Sequence, residues 1–259
     1  MKYKTKVLAD RFTKILSMWP QVECVTINEA ALTDILDPYF ALILDVFCSA
    51  VAPTIDRRRR YYGQDIQAFE SSNQGNKDRF LVGDIPVRLE YKYTARFDEL
   101  LDIAEAPRES LWLIKDSGTY GFYRLATGDI LFSRSGWIDT VRGRMKHLGD
   151  SFWVEMRGIS QLKMEHFLSD LGASFFQNDE FHYLLASAGF IKFACLTLFC
   201  INRCFEPSHR SYYKQVLELV SLPESFPAEL ENFVSQSAEM TMERRYSLAQ
   251  VIARGIVDL

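Results

Sequence analysis

The chain has 259 residues, 48% of them hydrophobic and 25% charged, with a formal net charge of −4. That length suits one large domain or two smaller ones, and the composition excludes a disordered or fibrous chain. The acidic balance gives no global electrostatic case for a nucleic-acid partner.

From the N-terminus, Val7, Leu8, Phe12, Ile15, Leu16 and Trp19 recur at spacings of three and four, which predicts a helix over Lys6 to Trp19 ended by Pro20. A strand follows over Val22 to Ile27, then a loop with a partial turn over Asn28 to Leu36. Phe40 to Phe47 is rich in Leu, Ile, Val and Phe and reads as an interior strand. Asp56 is placed to cap a helix that begins in the run Arg57 to Arg60. Ser71 to Asp78 is polar and reads as a flexible loop. Arg79–Val82, Gly83-Asp84 and Ile85–Tyr93 form a hairpin pattern. A helix over Phe97 to Ile103, a strand over Ile130 to Phe132 and a helix from Trp137 complete the first half.

After Asp150 strand patterns stop. Helical periodicity covers Met156 to Leu171, Glu180 to Cys204, Ser211 to Val220 and Ala228 to Ile256, with Pro207, Pro223 and Pro227 between them. The predicted organisation is an α+β domain over 1–145 and a helical domain over 146–259. The longest apolar run, Gly189 to Ile201, is interrupted by Lys192 and reads as a buried helix, too short to span a bilayer. Five cysteines, with no apolar leader after Met1, place the chain in a reducing cytoplasm. They read as buried free thiols, because no CxxC pair occurs. The four histidines lie in no HExxH or triad context, and neither GxxxxGK nor GxGxxG is present. Asn202 and Arg203 read as the end of the long apolar helix, and Ser208 as the cap of the next.

Chemistry points to two acids inside strands. Side chains alternate along a strand, so Ile43, Asp45 and Phe47 share one face, and Arg88, Glu90 and Lys92 share another. Two readings are open. Each acid can be a structural ion pair, with Arg88 and Lys92 beside Glu90. Alternatively, if the strands are adjacent, the carboxylates converge as hard oxygen ligands for Mg²⁺ in phosphoryl transfer. Asp37, at the mouth of the first strand, is a third candidate metal ligand. "RRRRYY" at Arg57 to Tyr62 is either a nucleotide- or RNA-contacting patch or a solvated helix face offsetting 34 acidic residues.

The segments "DPYFALILDVF", "KDRFLVGDIPVRLEYK", "LATGDILFSRSGW" and "LFCINRCFEPSHRSYYKQVLELVSLP" occur in an order that resembles the nucleotidyltransferase superfamily, most of all its small bacterial proteins of the antibiotic-nucleotidyltransferase kind. The resemblance covers Val22 to Ile138 and Phe181 to Pro223 with gaps. It implies an α+β catalytic domain with a mixed sheet and a helical domain forming one wall of a cleft. It also implies transfer of a nucleoside monophosphate from NTP to an acceptor, small molecule or macromolecule. Asp45 matches the second acid of the family's strand pair and Glu90 the third acid, which makes them the catalytic and metal-binding residues, with Asp37 assisting. Lys77, Arg79 and Arg88 are then the phosphate-binding cations. Two departures stand out. Ile43 occupies the position of the first acid, and "INEAAL" at Ile27 to Leu32 replaces the glycine-serine turn. These departures support the alternative of an inactive protein of the same fold that binds a nucleotide or a protein.

Overall fold

The computed structural model describes residues 3–27, 40–105, 119–237 and 239–259. The segment Asn28 to Leu36 and the candidate ligand Asp37 lie outside the described residues.

The first half runs α1 (Tyr3–Ser17), β1 (Val22–Ile27), β2 (Leu42–Cys48), α2 (Ile55–Tyr62), β3 (Ile66–Ser71), β4 (Lys77–Val82), β5 (Ile85–Tyr93), α3 (Thr94–Glu105), α4 (Tyr120–Thr127), β6 (Asp129–Ser133) and α5 (Trp137–Lys146). The strands make one mixed sheet in the order β3-β4-β5-β2-β1-β6. Only the central β2–β5 pair is parallel, with Asp45 opposite Glu90 in register. All seven residues of β2 are buried, as its unbroken apolar run predicts for an interior strand. One face of the sheet carries Val25, Leu44, Val46, Leu89 and Tyr91 into a core with Phe12, Leu16, Trp19 and Tyr62 from α1, α2 and the turn between α1 and β1. Each such fully buried side chain contributes about 1.5–3 kcal/mol. On the other face Phe47 packs against Phe97 and Trp137, with ring centroids 5.4 Å apart in each case.

The predicted hairpin forms, with Gly83 at φ 57° in the left-handed region that favours glycine. Strand β3 is an addition to the sequence reading. It is a half-exposed edge strand, and its register shifts between Gln67 and Glu70, where Ala68 has φ 48°. That irregularity breaks the alternation a strand prediction depends on. The expected flexible loop thus shrinks to the turn between β3 and β4. Helix α2 starts at Ile55 after Thr54, so Asp56 lies within its first turn rather than capping it, where its charge still favours the helix dipole.

The arginine run divides by burial. Arg57, Arg59 and Arg60 are exposed, whereas Arg58 is buried and grips both oxygens of Asp78 at 2.9 Å. Asp78 also accepts from Tyr62 Oη at 2.6 Å and Tyr91 Oη at 3.2 Å. Part of this "basic patch" is therefore an internal strut that joins α2 to the sheet.

The second half is helical: α6 (Asp150–Gln177), α7 (Glu180–Ile201), α8 (Tyr212–Leu217), α9 (Phe226–Val234) and α10 (Met242–Val257). The continuous periodicity over Ala228 to Ile256 is two helices, the second opened by Thr241, which accepts from the Arg244 amide at 3.2 Å. Helix α8 begins after Ser211, not at Ser208. Helix α7 spans 22 residues and by length and composition is apolar enough to cross a membrane, although half of that stretch is buried within the protein. Its end is fixed by Asn202, whose side chain donates to the carbonyls of Leu198 and Ser221 at 2.9 Å each. By contacts, the chain forms two compact units: Met1–Ile103 with Arg124–His147, and Ala104–Tyr123 with Leu148–Leu259. The architecture is α+β, a mixed sheet with helices and a helical C-terminal region.

Candidate functional site

The parallel register of β2 and β5 sets Asp45 and Glu90 side by side on the sheet face opposite the α1 core. Both are buried, at 1% and 8% exposure. Two adjacent buried carboxylates repel each other and each costs desolvation energy, so they must be compensated. The compensation is Arg124 of α4. Its Nε donates to Asp45 Oδ2 at 2.9 Å, its Nη2 to Asp45 Oδ1, and its Nη1 to Glu90 Oε2 at 2.7 Å. One guanidinium thus forks onto one acid and bridges to the other, using the rigid donor geometry that only arginine has.

Lysines close the cluster. Lys92 Nζ lies 2.9 Å from Asp45 Oδ1, and Lys77 Nζ lies 3.3 Å from Glu90 Oε1. Arg88 Nη1 is 3.9 Å from the same Glu90 oxygen. Burial pushes the Glu90 carboxyl up, but Arg124, Lys92 and Lys77 outweigh it and hold the group below its ordinary range. Burial lowers Lys92, an effect that the neighbouring Asp45 partly offsets.

The placement of Arg124 has a local cause. Helix α4 ends at Thr127, and Gly128 then passes so close to β1 that a Cβ there would meet the Arg124 carbonyl at 2.9 Å and Thr26 Oγ1 at 3.1 Å. Thr26 is the register partner of Asp45. Glycine at this position lets the last turn of α4 sit over the acid pair. Arg142 of α5 fixes that turn from outside, with its Nε donating to the Leu125 carbonyl at 2.9 Å and its Nη2 to that of Gly128; a basic side chain suits a helix C-terminus.

Of the residues singled out in the sequence, Asp45, Glu90, Lys77 and Arg88 meet in this cluster. Arg79 lies exposed on the same sheet face, opposite Arg88 in register. Asp37 lies outside the described residues. Arg124 was not singled out. It stands one residue before "LATGDILFSRSGW", whose Gly128 makes the close approach.

Mg²⁺ needs oxygen ligands with free lone pairs in near-octahedral array at roughly 2.0–2.1 Å. Here all four carboxylate oxygens face cations, the guanidinium fills the space between the acids, and the first-acid position is the buried Ile43. Among the described residues no group of three His, Cys, Asp or Glu side chains is placed to hold a metal ion. The described residues as arranged do not fit the ion that the family resemblance implied. Burial also disfavours the thiolate at every cysteine: it pushes Cys24, Cys48, Cys195 and Cys200 up to about 12 and raises Cys204.

No family model and no curated protein matches this sequence. Among solved structures the chain is similar to a nucleotidyltransferase-like protein from Exiguobacterium sibiricum 255-15, with a TM-score of 0.50 and 11% identity, over 95% of this chain and 72% of that one. The fold is nucleotidyltransferase-like. The acid pair on adjacent strands is sealed by an internal cation. Asp45, Glu90 and Arg124 therefore form one site.

Proposed function

We propose that the chain is a nucleotidyltransferase-fold protein that binds the polyphosphate of a nucleotide without metal and without turnover. The observation that carries this reading is the bridging of Asp45 and Glu90 by Arg124. A permanent cation sits where the reaction would need a divalent one. Beside the acid pair, Arg124, Lys92, Lys77, Arg88 and Arg79 set five positive charges on one sheet face against three acids, Asp45, Glu90 and Glu70, the last opposite Arg79 in register. That excess favours an anion, and Arg79, which is exposed, and Lys77, which is half-buried, are open to one. A depressed Glu90 is also a poor general base near neutrality.

The second reading is Mg²⁺-dependent transfer of a nucleoside monophosphate, of the antibiotic-nucleotidyltransferase kind, to a small-molecule or macromolecular acceptor. The in-register acid pair favours it. It requires Arg124 to leave both carboxylates.

Thermal shift with ATP, CTP, GTP and UTP, in EDTA and then in Mg²⁺, separates the two. Saturating a native-state site a hundredfold above Kd stabilises by about 2.7 kcal/mol. The expected result is a shift in EDTA that is lost in Lys77→Ala/Arg79→Ala, with no pyrophosphate released in Mg²⁺. A shift that needs Mg²⁺, vanishes in Asp45→Asn and comes with pyrophosphate release would establish the transfer reading instead. No shift with any nucleotide overturns both.

A further inference from the structure

The helical unit contains a cavity of about 510 Å³, within the usual range for small-molecule sites, roughly 300–1,000 Å³. Its walls differ in kind. Met156, Ile159, Phe193 and Leu196 supply an apolar body. Lys163 of α6 and Lys192 of α7, the residue that breaks the most apolar run of the sequence, supply two positive charges. Both are half-buried. Their ammonium groups lie 5.0 and 5.5 Å from the centroid of the same ring, Phe193.

Two like charges converging on one ring are costly on a helix pair this apolar. Cation–π attraction offsets only part of that. Among the described residues neither lysine has a carboxylate partner. The acid that lines the cavity, Glu206, is engaged elsewhere. It accepts from Tyr212 Oη at 2.5 Å and faces His209 Nε2 at 3.4 Å, while its own amide donates to Thr119 Oγ1 at 2.7 Å.

We infer that this cavity is a binding site for a small organic anion with an apolar body, its charged head between Lys163 and Lys192 and its body against Phe193, Leu196 and Met156. Binding is non-covalent. The cavity's thiol, Cys200, is held protonated by burial, at about 12, and offers no thiolate to react. The inference is independent of the acid pair and of the nucleotide reading, since every residue it uses lies in the other unit.

The test is calorimetric titration of the full chain with decanoate and decyl phosphate, and with decanol as the neutral analogue. The two anions share the required chemistry, and their relative affinities show which head group fits. Charge-assisted contacts are worth about 1.5–3 kcal/mol, so a loss of about tenfold or more per lysine is expected. Saturable binding of either anion, at least tenfold weaker for decanol and for Lys163→Gln/Lys192→Gln, supports the site. The exposed Lys4→Gln should bind as wild type does. Circular dichroism of the double variant, matching wild type, confirms that the fold persists. Equal binding of decanol, or undiminished binding by a folded double variant, overturns the inference, as does no binding of either anion.

Discussion

Arg124 sets three nitrogens against two carboxylates that strand register has placed side by side. Removing one partner of a buried pair typically costs 3–5 kcal/mol. Lys92 and Lys77 remain beside the acids, so Arg124→Met should cost about 3 kcal/mol, read as a lower urea midpoint. Arg124→Lys should recover little of it, because a point charge cannot fork onto Asp45 and bridge to Glu90. Glu90 contributes to the acid limb of stability, together with exposed Asp65, which its hydrogen bond from Arg11 also holds below the ordinary value. The folded Glu90 carboxyl lies below the ordinary value, so its pairing stabilises fully above about pH 4.3 and is lost as pH falls through the folded value. Urea midpoints measured from about pH 3 to 6 should decline less steeply in Glu90→Gln than in wild type. At this scale the acids were legible in the sequence, because alternation along a strand fixes which face each takes. Their partner was not. Arg124 is 79 residues from Asp45 and 34 from Glu90, and nothing in local spacing records such a contact.

Among the elements, the α6–α7 pair shows how close approach dictates residue choice. A Cβ on Gly189 of α7 would lie 2.4 Å from the ring of Phe167 on α6. Overpacking of this kind costs about 1–3 kcal/mol, while exchanging glycine for alanine in a helix returns about 1. Gly189→Ala should therefore lower stability by up to about 2 kcal/mol in urea unfolding, the steric term prevailing. Long periodic elements were readable from sequence: β1 starts and ends as predicted, and α1, β2 and α7 lie within a few residues of their expected ends. Two short elements were not. β3 hides behind its bulge at Ala68, and α4, at Tyr120–Thr127, is too brief for periodicity to declare itself. The second of these omissions mattered more, since α4 carries Arg124.

For the molecule as a whole, the change from mixed α+β to purely helical pattern was visible because period-two runs stop after residue 133 and never return. The two compact units are each interleaved in sequence, which no composition shift announces. The polar cluster on the sheet follows from topology: a lone parallel pair at the centre of an otherwise antiparallel sheet puts both acids deep inside it. A metal ion at such a place has an occupancy, set by supply and reversible by any competing chelator. A guanidinium tethered by its own backbone has none. It carries its charge at every physiological pH and cannot be withdrawn by dilution, so the acid pair of this protein is neutralised in every copy from the moment the chain is folded.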